Sequence, residues 1–258
     1  MLSFKVREYA SYPPGNFIGA HEERIQTEPG TAALLLMNVY GFLMPKEHPA
    51  RQGLVSIYGE AEIERREAMV RATILPAVEA TRAAKLPVVY VADSAPRIGL
   101  ERSHIRQVMV KHLGIDPLEA YAEDCNDPRE YAPTSSGRIV YAPELAPQPH
   151  DHYIRKWVYS GFHGTWLDRL LRNLGVHTLF CTGFNGDSDL WCTLLDGMWN
   201  GYRIVLLRDG FAAVHVPECE PVVDFTQRLE LYTETCLGYT VSTNDFVAAC
   251  RAAAEVTA

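Results

Sequence analysis

The sequence has no cluster of Lys and Arg, no apolar run approaching a membrane span, no internal repeat and no low-complexity segment. A nucleic-acid surface needs concentrated positive charge; here 24 basic and 32 acidic residues leave a formal net charge of −8, so small-molecule or protein partners are favoured. The first residues, Met1-Leu2-Ser3-Phe4-Lys5-Val6-Arg7-Glu8, lack the apolar core of a signal peptide. A cytoplasmic protein without membrane contact is therefore expected. The six cysteines (Cys125, Cys181, Cys192, Cys219, Cys236, Cys250) show no CxxC or finger-like spacing, which favours reduced buried thiols over disulfides or zinc.

What is present is an ordinary globular composition: 258 residues, 47% hydrophobic and 22% charged, enough for one well-buried α/β domain. Residues 1–30, punctuated by Pro13-Pro14-Gly15 and Pro29-Gly30, read as an N-terminal extension, with the domain proper at 31–258. Short apolar runs at Thr31 to Met37, Val88 to Ala92, Val176 to Thr182 and Tyr202 to Leu207 predict strands, and the more polar Asp151 to Arg155 and Tyr239 to Ser242 read as two more. Helical spacing falls between them: Glu60 to Lys85, kinked or split at Pro76, His104 to Leu113, Thr165 to Asn173, Leu190 to Asn200, Glu220 to Cys236, and Asn244 to Ala254 with Ser242 or Thr243 as cap. Strand, helix, strand alternation implies right-handed crossovers. The predicted fold is a three-layer α/β sandwich whose parallel sheet has about six strands. Residues 93–150 carry only one amphipathic piece, an acidic run and, after it, Pro133, Pro143, Pro147 and Pro149, and read as a lid or oligomer contact.

A doubly wound sheet gathers the carboxyl ends of its strands at one crevice. Three polar residues fall at such ends: Asn38, Lys156 and Asp189. Each has a plain structural role open to it, as turn cap, solvated ammonium or first-turn helix carboxylate. The junction Gly183-Phe184-Asn185-Gly186-Asp187-Ser188-Asp189 turns a strand directly into a helix, which presents backbone N–H groups at the same edge.

Together these residues invite a comparison. The apolar strand into Asn38, Lys156 followed by Tyr159-Ser160-Gly161-Phe162, then Thr165, Leu167, Asp168 and Leu170, and Gly183 through Asp196 into Gly201-Tyr202-Arg203 resemble the isochorismatase-like, or cysteine hydrolase, family. Pro147-Gln148-Pro149 and Lys-x-x-Tyr-Ser-Gly-Phe are most similar to its ureidoacrylate amidohydrolase branch. The resemblance implies an Asp, Lys, Cys triad, an oxyanion hole made by the N–H groups of Asn185 and Asp189, a cis bond at Phe184-Asn185, and a homo-oligomer, dimer or tetramer. This chain departs from the pattern: Asp189 stands at the position of the nucleophilic cysteine, Asn38 at that of the first-strand aspartate, and only Lys156 is kept. Cys192 lies one helical turn beyond the nucleophile's position.

The expected activity is hydrolysis of a small organic molecule, at an amide- or ureido-type C–N bond, with Asp189 and Lys156 in place of a cysteine nucleophile and Asn38 as the third catalytic position. One anion leaves position 38 and one arrives at 189, so a single carboxylate is expected beside Lys156. Two other readings stay open: a non-catalytic ligand-binding relative in which Asp189 only pairs Lys156, and carboxylate attack on a carbon bearing a good leaving group. Tyr40, Trp157, Tyr159, Phe162 and Phe184 are the expected substrate contacts. The family's Asp-x-His metal pair is missing, so neither a metal nor a cofactor is expected.

Overall fold

The structure, a computed structural model, describes residues 1–10, 19–28, 30–94, 103–114, 116, 139–214 and 224–257. Its strands are β1 (Leu2–Ala10), β2 (Gly19–Thr27), β3 (Ala32–Met37), β4 (Val88–Asp93), β5 (His152–Lys156), β6 (Thr178–Gly183), β7 (Arg203–Phe211) and β8 (Gly238–Val241). They form one sheet in the order β2-β1-β8-β7-β6-β3-β4-β5. From β8 to β5 every pairing is parallel. Central β3 shows why its sequence is an unbroken apolar run: Ala32, Leu34 and Leu36 face one core and Ala33, Leu35 and Met37 the other. Period-two alternation with both faces covered leaves no polar position.

The helices are α1 (Pro49–Tyr58), α2 (Glu60–Met69), α3 (Leu75–Ala83), α4 (His104–Leu113), α5 (Leu167–Asn173), α6 (Trp191–Trp199), α7 (Phe225–Tyr232) and α8 (Thr243–Thr257). Ile63 of α2, Val78 of α3 and Phe246 of α8 cover one face; Leu171 of α5, Leu194 of α6 and Leu229 of α7 cover the other. Each such side chain taken fully from water contributes about 1.5–3 kcal/mol, which is what holds the layers together. The expected three-layer α/β architecture is therefore present.

Three differences from the sequence reading have physical causes. The sheet has eight strands, because residues expected to drape as an extension form an antiparallel hairpin, with β1 and β2 paired from Leu2↔Thr27 to Ala10↔Gly19. The missed signal was the alternation of Leu2, Phe4 and Val6, all buried. Phe4 packs on Phe180 with ring centroids 4.4 Å apart, and Arg7 ties the hairpin to Glu234 at 2.6 Å. Helix α1 was also missed, although Pro49 at its first turn and His48, whose Nδ1 accepts from Ala50 N–H at 3.2 Å, are start signals. The helical stretch around Pro76 is not broken. It widens into a π turn at Val70–Ile74 just before the proline, which cannot donate to the carbonyl four residues back.

Other expectations hold in detail. Ser242 caps α8, its Oγ accepting from Asp245 N–H at 3.1 Å. Asp224 caps α7, and of the helix expected from Glu220 the residues 220–223 lie outside the described residues. Among the described cysteines Cys181 and Cys250 are buried free thiols, Cys192 is half-buried and Cys236 exposed; Cys125 and Cys219 lie outside the described residues. No helix among the described residues is long and apolar enough to cross a membrane.

Candidate active site

Parallel register brings the polar strand ends together. Asp93 at the end of β4 is the direct neighbour of Lys156 at the end of β5, and Met37 at the end of β3 is paired with Gly183 at the end of β6. Gly183 has φ +115°, and a Cβ there would stand 2.1 Å from the Met37 carbonyl oxygen, so only glycine fits. The Phe184 N–H donates to that same carbonyl at 2.8 Å, which fixes the start of the turn. The Phe184-Asn185 peptide is cis, at the expected position.

After this turn Gly186–Leu190 forms a π-helical turn that leads into α6 and carries Asp189 inward. Lys156, 1% exposed, is hydrogen-bonded and ion-paired to both Asp93 Oδ1 and Asp189 Oδ1. Tyr40 Oη donates to the second oxygen of Asp93 at 2.6 Å, and Ser188 Oγ donates to the second oxygen of Asp189 at 3.0 Å. This corrects the sequence expectation of a single carboxylate: Lys156 has two, and the sequence reading overlooked Asp93. The signal was available, since Val88 to Ala92 runs into Asp93 as the first apolar strand runs into Asn38.

One ammonium between two carboxylates sets the protonation balance. Burial pulls the Lys156 ammonium towards losing its proton, but Asp189 and Asp93 outweigh this and raise its pKa above the usual lysine range. Burial pushes Asp189 above the usual carboxylate range, against the pull of Lys156 and Ser188 and helped by the negative charge of Asp93. The Cys192 thiol is also raised, first by burial and then by Asp189, which favours the thiol over the nucleophilic thiolate.

Asn38 occupies a different niche. Its backbone is left-handed, φ +50°, a conformation Asn tolerates better than most residues. Its side-chain Oδ1 is buried with no hydrogen-bond partner among the described residues. Asn38 borders a chamber of about 40 Å³ whose walls include Tyr40, Arg66, Asp93, Phe184 and Asn185. That is room for one water, given polar partners. Asn185 closes one side: its Oδ1 accepts from Arg66 Nη1 at 2.8 Å and its Nδ2 donates to Tyr58 Oη at 2.9 Å. Arg66 is held by Glu62 at 2.6 Å and by the Ala213 carbonyl at 3.1 Å, with Tyr58 and Phe184 rings against its guanidinium.

Beside the chamber opens a crevice of about 320 Å³, lined by Asp93, Lys156, Asn185, Asp187 and Asp189 together with Ile57, Ile105, Met109, Trp157 and Tyr159. Trp157 and Tyr159 thus stand where substrate contacts were expected. Tyr40 and Phe184 border the chamber, with Phe184 also packed on Phe42 at 4.8 Å. Phe162 lies elsewhere: 8% exposed, it packs in the core against Tyr202 with centroids 5.7 Å apart, away from the crevice lining. Its neighbours explain its place in the motif. Gly161 N–H donates to Thr193 Oγ1 at 2.9 Å, Thr193 Oγ1 donates to the Asp189 carbonyl at 2.7 Å, and Ser160 donates to Asp196. The retained Ser-Gly-Phe and Thr-x-x-Asp pieces therefore clamp the loop after β5 to α6, the helix that follows Asp189.

Of residues 93–150, helix α4 contributes Ile105 and Met109 to the crevice, while 95–102, 115 and 117–138 lie outside the described residues. Among the described residues no three His, Cys, Asp or Glu side chains are grouped to hold a metal ion. Lys156 already occupies the space between Asp93 and Asp189.

The isochorismatase domain pattern matches residues 54–230, more than half of the chain. The chain belongs to the isochorismatase family. The matched span contains Asp93, Lys156 and Asp189 and begins after Asn38. Curated relatives include ureidoacrylate amidohydrolase RutB of Pantoea ananatis, 39% identical over 104 residues, which are 40% of this chain and 39% of the relative. The RutB protein of Stutzerimonas stutzeri is 39% identical over 114 residues, 44% of this chain and 43% of the relative. The similarity thus spans about two fifths of the length of these relatives. Among solved structures, a cysteine hydrolase from Pseudomonas syringae pv. phaseolicola superimposes with a TM-score of 0.62 at 21% identity, covering 88% of this chain and 95% of that one. N-carbamoylsarcosine amidase from Thermoplasma acidophilum gives 0.53 at 20% identity, covering 83% and 97%. The shared fold is the isochorismatase-like one.

Proposed function

We propose that the protein hydrolyses an amide- or ureido-type C–N bond of a small organic molecule by activating water, without a cysteine nucleophile. The observation that carries this reading is Lys156 held between Asp93 and Asp189 at the floor of a crevice. The similarity to amidohydrolases supports the bond type. Two carboxylates with different surroundings can divide acid and base work. Asp93 borders both the Asn38 chamber and the crevice, so it is the base that takes a proton from a water held by Asn38 Oδ1. The water oxygen then bonds to the carbonyl carbon. N–H groups of Asn185 and Asp189 at the turn receive the developing oxyanion, with the Lys156 charge behind them. Asp189, whose raised pKa favours the protonated form, gives its proton to the departing nitrogen as the C–N bond breaks. Lys156 sits between the two carboxylates and lets the proton return from Asp93 to Asp189.

Two features count against the rival readings. Asp93 already supplies the counter-charge of Lys156, so a second buried carboxylate adds desolvation cost with no pairing need, which disfavours Asp189 as a mere counter-ion. Burial biases Asp189 towards its protonated form, a poor nucleophile, which disfavours covalent attack by this side chain. Turnover of amide and ureido compounds in ¹⁸O-labelled water tests the scheme. Label confined to the product acid supports it; label in the Asp189 carboxylate means covalent attack. Ligand binding without turnover of any such compound would leave only a binding protein.

A further inference from the structure

The charges lining the crevice are lopsided. Asp93, Asp187 and Asp189 face it with Lys156 as the one ammonium among the described lining residues. With Asp189 protonated the balance is one negative charge, and with it ionised two. Asp187 has a specific position: one of its oxygens accepts from Val214 N–H at 3.1 Å, which pins the side chain at the crevice wall. Trp157, 38% exposed, and Tyr159 line the same opening. Aromatic faces beside a carboxylate attract a cation and repel an anion. The net charge of −8 on the whole chain works in the same direction at longer range.

We infer that the crevice takes an amide or ureido compound bearing a cationic group on a small apolar body, with the cation seated between Asp187 and the Trp157 and Tyr159 rings, and that it rejects carboxylates. This rests on the hydrolytic reading for the amide end of the ligand; the charge preference itself concerns binding. It would set this chain apart from an enzyme acting on ureidoacrylate, which carries a carboxylate. The cavity of about 320 Å³ is at the small end for ligand pockets, which suits a single ring or short chain.

Isothermal titration calorimetry on the whole chain with three matched probes tests the inference: para-aminomethylbenzamide, para-methylbenzamide and para-carbamoylbenzoate. Affinity should fall in that order, by roughly tenfold or more from cation to anion at low salt, with the gap narrowing as salt screens the charges. In Asp187→Asn, which keeps an acceptor for Val214 N–H, the cation should lose several-fold while the neutral probe changes little and the melting temperature holds. The inference is overturned if the carboxylate binds as well as the neutral probe, if the cation has no advantage over it, or if the cation fails to bind. Because binding is read apart from turnover, the expected order without hydrolysis defeats the catalytic reading alone. Hydrolysis with a preference for the anion defeats this inference alone.

Discussion

Arg66 and Lys156 are both buried to 1% exposure within the same region of the sheet edge, yet they are satisfied in opposite ways. Arg66 has one carboxylate, Glu62, and fills its other positions with a side-chain amide oxygen, a backbone carbonyl and two aromatic rings. Its charge is balanced and its geometry closed, as a structural cation requires. Lys156 has two carboxylates, one more than its charge balances, and burial drives the surplus one, Asp189, towards its protonated form. A fold that needed only a buried cation would follow the Arg66 pattern. The surplus at Lys156 is the mark of a group arranged for proton transfer.

Breaking this contrast should produce graded effects. The largest is expected from Lys156→Met, which leaves buried Asp189 beside the partly exposed Asp93 without a cation and should cost about 3–5 kcal/mol in chemical denaturation. Adding Asp189→Asn to that variant should recover part of the loss; no recovery would mean that the two carboxylates do not repel. Arg66→Met should cost less, about 1–3 kcal/mol, since Glu62 keeps a paired contact with Arg65 and the guanidinium's other hydrogen bonds go to neutral acceptors. A loss as large as that of Lys156→Met would erase the distinction drawn between the two cations.

Asp189→Asn sharpens the comparison through pH. A carboxyl whose folded pKa is raised contributes stability that is fully present below its unfolded value and is lost as pH rises through the folded value. The wild type should therefore lose stability relative to Asp189→Asn as pH rises from the ordinary carboxylate range through the raised pKa. Thermal melts across that window check the sign, and a widening advantage for the wild type would contradict it. The same proton should shape activity: kcat/KM of the wild type should decline above the raised Asp189 pKa, and Asp189→Asn should abolish turnover. The smallest change in stability is expected for Asn38→Gly, within about 1 kcal/mol. Glycine accepts the left-handed backbone, and the deleted acceptor has no partner among the described residues. Turnover should nevertheless fall at least tenfold if Asn38 holds the water, with binding of a substrate analogue unchanged.

Much of this was legible in the sequence because burial on both faces leaves a continuous apolar run, as in β3, β4 and β6, and a polar residue ending such a run is conspicuous. Asn38, Lys156 and Asp189 were found that way. Asp93 went unnoticed because it opens a long irregular segment and was read as the segment's first residue, although it ends a strand. Its partnership with Lys156 depends on the register of β4 against β5, and pairing register has no local signature. Phe162 was misplaced for a similar reason: an aromatic beside a catalytic motif and an aromatic beneath it look the same until the turn's direction is known. The N-terminal hairpin was hidden by its prolines and glycines, which outweighed three alternating apolar residues.

The contact between Gly183 and the Met37 carbonyl has a further consequence. With no space for even one extra carbon, and with the Phe184 amide fastened to the same oxygen, the segments holding residue 38 and residue 189 behave as two arms of one rigid bracket. A change that shifts either arm carries the other with it. Remodelling of this centre, natural or engineered, is therefore confined to swapping side chains on fixed arms, and new specificity has to come from side chains on the opposite bank, those of α4 and of Trp157 and Tyr159.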